Sequence, residues 1–305
     1  MEKFNRIYSL QVEVSAGYSV SPYSQSANYN VEITLPNTVE FTITRALLGS
    51  SQTGSFKVYN LQETVRTAMR KDYSHASQLR AIKFRCGYAP SEEFQLPLVF
   101  NGTVNTCFSY RQGTDWITEI NAFDGGWPMA NANNVSMTVA PGASAAQTIV
   151  MLSRQMPNLS GTPIVGDFPI RNLRGEVLFG NIWTLILEKS NGFAAVDNGQ
   201  VKALNLNEVF RGPITLISEE SGLLGSPKRS ETFVELSMLF EPSLSVGQIV
   251  ELYSTVDRSL NRDWKVFGFE HHGTISPSIC GELLSSVKLS LPPDAFRIVA
   301  GQPVL

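Results

Sequence analysis

Apolar and polar residues take turns along much of this chain, and that period of two most constrains what it can fold into. Tyr8–Ser15 reads Tyr-Ser-Leu-Gln-Val-Glu-Val-Ser, Val31–Leu35 reads Val-Glu-Ile-Thr-Leu, and Val39–Thr44 reads Val-Glu-Phe-Thr-Ile-Thr. Side chains on a strand point alternately to opposite faces, so each run predicts a strand with one face buried and one face wet. Ser55–Tyr59, Leu79–Cys86, Leu98–Phe108 and Asp115–Phe123 continue the pattern, with a turn at Arg111-Gln-Gly-Thr. It resumes late in the chain at Thr232–Phe240, Ile249–Tyr253, Lys265–Gly273 and Glu282–Leu291. The tail from Pro292 lacks periodicity and is expected to be extended.

Helical spacing interrupts the strands in few places. Asn60 with Glu63 offers a capping box ahead of Leu61, Val65, Ala68 and Met69, which share one helical face. Ser144 with Gln147 offers a second box ahead of Ala145, Ile149 and Leu152, and Pro157 ends that helix. A third helix is expected over Asn181–Lys189, closed by Gly192. Asp197-Asn-Gly199 then predicts a hairpin between Phe193–Val196 and Gln200–Leu204. Around Gly222, Gly225 and Pro227 the chain reads as a turn-rich loop that crosses between domains.

A length of 305 residues is enough for two or three domains. Charged residues make up 17%, against roughly 25% in ordinary domains. Two readings fit this: a surface largely covered by neighbouring subunits, or an ordinary β protein with Ser/Thr-rich strands. The net charge of −3 gives no general attraction to nucleic acid. No signal peptide is expected from Met1–Leu10, which carries Glu2, Lys3 and Arg6, and no run approaches the roughly 20 apolar residues of a membrane span. Manufacture in a reducing cytoplasm is expected. The cysteines Cys86, Cys107 and Cys280 lack metal-ligand spacing and read as small buried hydrophobes.

Chemistry-bearing patterns are sparse. No Gly-x-Ser-x-Gly elbow occurs. His75 lies in a polar stretch, and His271 and His272, adjacent on an expected strand, point to opposite faces. Glu92-Glu93 and Glu219-Glu220 are neighbouring carboxylates in loops, which are ordinarily just solvated. Asp124-Gly-Gly-Trp127 suits either a cleft or a domain-boundary turn. Gly222-x-x-Gly225 lacks the ending of a phosphate loop, and Lys228-Arg229 is too short for a nucleic-acid patch. The expectation is no catalytic residue, no cofactor site and no metal site.

The two β-rich parts share an order of features. Ile82–Cys86, Val99–Val104 and Trp116–Ile120 in the first match Val250–Ser254, Val266–Glu270 and Ser286–Ser290 in the second, with similar linkers. This predicts a weak internal duplication.

Taken in order, several segments carry a resemblance to a known family. Gly222-Leu-Leu-Gly-Ser-Pro, an apolar strand, Glu241-Pro-Ser-Leu and Gly247-Gln-Ile-Val form one set. Phe41-Thr-Ile-Thr-Arg45, Phe56-Lys-Val-Tyr-Asn-Leu61, Ile82-Lys-Phe-Arg-Cys-Gly-Tyr88, Phe100-Asn-Gly-Thr-Val104 and Trp116-Ile-Thr-Glu119 form another. Pro141–Leu152, Gly175–Gly180 and Val196–Gln200 lie between them. The chain resembles the baseplate hub proteins of contractile-tailed bacteriophages over most of its length.

That resemblance implies a mainly β fold with a smaller α+β part: two tube-protein-like β-barrel domains flanking an inserted α+β middle domain. The expected division is 1–130, 131–213 and 214–305. It implies a structural virion protein of the tail baseplate, not an enzyme. The hub would be a homotrimer joining the sixfold tail tube to the threefold central spike, with possible wedge and tape-measure neighbours. DNA would pass through its channel without specific binding. Relatives with a fused lysozyme or peptidase exist, but this chain lacks those residues. A tail-tip or tube-initiator protein of a non-contractile tail or injection machine is the alternative. A glycan-binding or glycan-cleaving tail protein, suggested by Trp127 and the paired glutamates, is more distant.

Overall fold

The computed structural model of the chain describes residues 5–15, 28–48, 52–71, 79–88, 96–159, 161–169, 174–278, 281–290 and 295–301. The first part contributes β1 (Arg6–Ser15), β2 (Asn28–Thr34), β3 (Val39–Ala46), β4 (Gln52–Tyr59), α1 (Glu63–Met69), β5 (Ala81–Tyr88), β6 (Leu98–Gln112) and β7 (Asp115–Asp124). The middle part contributes α2 (Gly126–Ala130), β8 (Asn134–Val139), α3 (Ala145–Ser153), β9 (Ile164–Val165), β10 (Glu176–Asn181), α4 (Ile182–Lys189), β11 (Ala194–Asp197) and β12 (Gln200–Ala203). The last part contributes β13 (Glu208–Ile217), β14 (Leu223–Arg229), β15 (Phe233–Leu239), β16 (Gln248–Leu252), β17 (Arg262–Ile275), β18 (Leu283–Ser290) and β19 (Arg297–Ile298). The fold is mainly β with few helices, as the alternation predicts.

The alternating runs bury as their pattern requires. In β3, Val39, Phe41 and Ile43 are buried while Glu40, Thr42 and Thr44 face outward. Their inward faces build a cluster in which Phe84 packs against Phe41 at 4.8 Å and Phe56 at 5.1 Å between ring centroids. A second cluster gathers Val234, Met238, Val250, Trp264, Val266 and Leu289. A third lies under α3 and α4 in the middle part, around Ile149, Leu152, Ile186 and Val196. The first cluster also takes in Phe240, Ile275 and Leu283 from the last part of the chain, so the first and last parts share apolar contacts.

One sheet joins the first and last parts, and its strand order carries the duplication. The run β3-β4-β7-β6-β5 recurs as β14-β15-β18-β17-β16, every neighbour antiparallel in both. Even the irregularity recurs. β6 shifts register between Val104 and Thr106 against β7, and β17 shifts between Val266 and Gly268 against β18. The copies differ at the next strand, since β5 pairs antiparallel with β1 while β16 pairs parallel with β13. Within the chain the two copies meet along β17 and β3, from Gly268 opposite Ala46 to Ile275 opposite Val39.

Several local expectations meet the structure with different results. Ser144 caps α3 through a complete capping box with Gln147, and Asn181 caps α4. Asn198 and Gly199 take positive φ, as a two-residue hairpin turn requires. Asn60, by contrast, does not cap α1. It sits in the left-handed region at φ 57°, accepts the Trp116 N–H and donates to Asp115, both at 3.0 Å, so its side chain anchors the start of β7 instead. The Gly222–Pro227 stretch is largely strand. β14 pairs with β15 at both ends and is disrupted only between Leu224 and Lys228, where Gly225 takes φ 67° and Pro227 has no N–H to offer. β13 was not among the expected strands; it runs through Gly212-Pro213 with a register shift against β16 between Arg211 and Leu216. The tail is not merely extended, since β19 docks parallel to β13.

The aromatic centre sets a stability prediction. Phe84→Ala removes a fully buried ring from its contacts with Tyr8, Phe41 and Phe56. A loss of about 3–5 kcal/mol is expected, read as a lowered urea midpoint. A loss below about 1 kcal/mol would show that the cluster repacks freely.

Candidate functional site

Polar chemistry concentrates where the three parts meet. Arg45 near the end of β3, Asp124 at the end of β7, Asp197 and Asn198 at the β11–β12 turn, Lys202 on β12 and Ser245 ahead of β16 are all buried. The Arg45 guanidinium donates to Asp124 at 3.0 Å, to the Val99 carbonyl at 2.8 Å and to the Asn198 side chain at 2.6 Å, and also pairs with Asp197. Lys202 pairs with Asp197 and donates to Ser245, whose hydroxyl donates to Asp197 at 2.9 Å.

Backbone conformation prepares this site. The positive φ of Asn198 and Gly199 turns two successive N–H groups onto the Asp124 carboxylate, Gly199 at 3.0 Å. Gly125, at φ 75°, leaves room for Val196, which would lie 2.6 Å from any added Cβ. Two carboxylates therefore meet two cations, and the set carries no net charge. Burial pushes Asp124 up to about 6, opposed by Arg45 and reinforced by Asp197. Burial would raise Asp197 too, but Lys202 and Arg45 outweigh it and hold this carboxylate low. Burial lowers Lys202 against the pull of Asp197. These side chains are buried and bonded to one another, so the arrangement fastens segments of the chain together.

The residues singled out from sequence do not converge. His271 is buried, its Nδ1 sharing a hydrogen bond of 2.8 Å with the Ser285 hydroxyl and its ring lying against Phe269 and Phe240. His272 lies on the opposite face, 3.8 Å from Glu270. Asp124 is in no cleft; it belongs to the buried junction. Glu219 accepts the Thr255 N–H at 2.8 Å and its hydroxyl at 3.0 Å, which pins the 253–256 segment, while Glu220 is exposed. Trp127 lines a shallow depression of about 480 Å³ with Asn131, Asn133 and Asn134, and no carboxylate lines it. Cys86 and Cys107 are free and buried, and burial pushes the Cys107 thiol up to about 12. His75, Glu92, Glu93 and Cys280 lie outside the described residues. Among the described residues, no three His, Cys, Asp or Glu side chains are grouped to hold a metal, and no helix is long and apolar enough to cross a membrane.

Sequence reasoning missed Arg45, Lys202 and Ser245. The signal was faint: a charged residue at an inward position of an otherwise apolar strand alternation, as at Arg45 in Val39–Ala46.

The other candidate surface is the outward face of the shared sheet. Across β15, β18, β17, β3, β4 and β7 it presents Ser237, Ser286, Thr274, Thr42, Thr44, Ser55 and Asn121 among the charges Glu235, Lys288, Glu270, Glu40, Lys57 and Glu119. Four carboxylates thus share this face with two lysines.

A family profile described as baseplate hub gp41 matches residues 11–274. No curated protein matches the chain by sequence. Among solved structures, the 43 kDa tail protein of prophage MuSo2 from Shewanella oneidensis is similar with a TM-score of 0.57 and 7% identity, over 93% of this chain and 96% of that one. The tail protein from Neisseria meningitidis MC58 is similar with a TM-score of 0.50 and 9% identity, over 95% and 99%. The E. coli c3393 protein gives 0.52 and 8%, over 87% and 76%; it is described as a type VI secretion component similar to T4 tail proteins gp27 and gp5. At such identities the likeness is one of fold.

Two predictions follow from the buried groups. Lys202→Met leaves Asp197 short of its main cation and is expected to cost about 3–5 kcal/mol. The double variant Lys202→Met with Asp197→Asn should recover part of that loss in urea titrations; a double variant no better than the single would mean the pair is not coupled. His271, pushed from 6.5 down to about 3 by burial with Arg45 and His272 adding to the effect and Asp197 opposing it, refuses a proton that the unfolded chain accepts. Stability is therefore expected to fall as pH drops from 6.5 toward 3, by about 5 kcal/mol at most. Asp124 acts with the opposite sign between its ordinary 3.8 and about 6, where the folded chain holds the extra proton. In His271→Gln the loss between pH 6.5 and 3.8 should shrink, leaving the reverse slope of Asp124 there, while Asp197, held low, still gives an acid loss below 3.8. An unchanged profile above pH 3.8 would exclude His271 as its source.

Proposed function

The chain belongs to the baseplate hub gp41 family, and from that premise we propose that it is a structural hub of a tail baseplate, working as a homotrimer between a sixfold tail tube and a threefold central spike. The observation that carries this reading is the doubled strand order, β3-β4-β7-β6-β5 and β14-β15-β18-β17-β16. A chain holding two similar β units lets three copies offer six similar units to a sixfold partner, while the differences between the units keep the threefold needed on the other side. We take the units as 1–130, 131–213 and 214–305, with β13 running across the second boundary. The middle unit would set the two β units at a fixed angle through the buried junction.

The outward sheet face supports a passage role. On β15, β18, β17, β3, β4 and β7 the hydroxyl and amide groups are small and polar and the carboxylates outnumber the lysines, so this part of the face offers a passing polyanion little to hold it. Wedge and tape-measure proteins are further candidate neighbours, and the virion tail is the proposed location. The fold likeness to a type VI secretion component supports a second reading, in which the same hub serves an injection machine.

Light scattering on the purified chain, alone and with cognate tube and spike proteins, tests the reading. A trimer that binds both is expected. A strict monomer that binds neither would overturn it.

A further inference from the structure

The two β units touch within the chain along one specific pair of strands, and each partner has a counterpart that lacks such a neighbour. β17 is long: its start pairs with β16, and Gly268–Ile275 pairs with β3 on the same side. By strand order β6 is the counterpart of β17, and β14 of β3. β6 is similarly long. Its start pairs with β5, Cys107 bridges Lys71, and beyond that point residues 108–112 meet no further strand on this side among the described residues. β14 is a terminal strand of the sheet, as β2 is at the other end, with β15 on one side and no strand on the other among the described residues.

We propose that β14 of one copy pairs antiparallel with residues 108–112 of β6 in a second copy, repeating between chains the seam that β3 and β17 make within one chain. This rests on the ring assembly proposed above and names its contact strands. The register follows from the duplicated irregularity. Aligning Val104–Thr106 with Val266–Gly268 makes Ser109 and Tyr110 the counterparts of His271 and His272. Lys228 and Arg229 face Glu235 and Val234 as Thr42 and Ile43 face Ser55 and Gly54. Since His272 lies opposite Thr42 and His271 opposite Ile43, Tyr110 falls opposite Lys228 and Ser109 opposite Arg229.

The surfaces suit this contact. Phe108 and Tyr110 are 45% and 36% exposed on one face of the open stretch, and Leu224 is 41% exposed on β14. The Lys228 stem would cover the aromatic pair and bring its ammonium over a ring. The disruption at Gly225–Pro227 shortens the pairable edge, a device that limits indiscriminate edge pairing in the free chain. Such a contact is head-to-tail, and three copies joined by it would form the ring of the proposed trimer.

Disulfide trapping tests the seam on the full-length chain. Tyr110→Cys with Lys228→Cys is expected to give covalent multimers beyond the dimer under mild oxidation. An equal mixture of the two single variants should stop at dimers. Thr42→Cys with His272→Cys, the matching pair inside one chain, reports whether the geometry permits a bond. Ser109→Cys with Arg229→Cys is a second pair in the same register, and Tyr253→Cys with Lys228→Cys should stay at background. If light scattering shows an oligomer but neither seam pair crosslinks above the single variants, the seam is wrong and the hub reading stands. A chain that remains monomeric overturns both.

Discussion

The buried ionic set at Arg45, Asp124, Asp197 and Lys202 is the constraint on which the arrangement of parts depends. Its members come from the first β unit and the middle part, and Ser245 adds the last part through its bonds to Lys202 and Asp197. Two charges of each sign, all removed from water, tolerate little displacement, because a shift that unpairs one leaves a charge without solvent. Apolar contacts could hold the same segments together but would allow sliding. The ionic set selects one orientation. A buried ion pair is weak evidence for net stability, whereas burial of apolar side chains in the clusters around Phe84 and Trp264 is the ordinary source of it.

That fixed orientation matters because the in-chain seam depends on it. Arg45 is itself a seam residue, opposite Phe269 on β17, and Gly268 sits where an added Cβ would come within 2.7 Å of the Arg45 carbonyl. The strand that carries the guanidinium into the junction is thus the strand on which the second β unit docks. Arg45 thus takes part in both, its main chain in the pairing of the two β units and its side chain in the junction with the middle part.

Much of this fold could be read from the sequence, and the reason is local. Alternation in Tyr8–Ser15 and Val39–Thr44 reports burial directly, because strand side chains have only two directions to choose. The Ser144 box and the Asn198-Gly199 turn were legible because backbone sterics and unpaired amides admit few residue types. Readings failed where the same residue serves two geometries. Asn60 is an excellent cap and an equally good left-handed residue, and only β7 decides between them. The Gly and Pro residues of β14 signal a turn, yet pairing with β15 holds the flanking residues in a strand. The junction was the least legible, since its partners are separated by 79 and 152 positions along the chain and no local pattern couples them.

The difference between the two β units is as informative as their likeness. If they were identical, only the middle part, present once per chain, would distinguish one unit from the other for a threefold partner. The units diverge at the strand beyond the shared five, where β1 runs antiparallel to β5 but β13 runs parallel to β16. The parallel pairing brings β13 alongside β16, lets β19 dock on β13, and places Glu208 where it accepts the main-chain N–H groups of Asp167 at 2.6 Å and Asn205 at 2.8 Å. The second unit is thereby tied to the middle part by contacts that start from the changed strand. In the proposed hub, the conserved order of five strands is what a sixfold tube would meet, and the altered sixth strand with the middle part is what marks alternate units for a threefold spike.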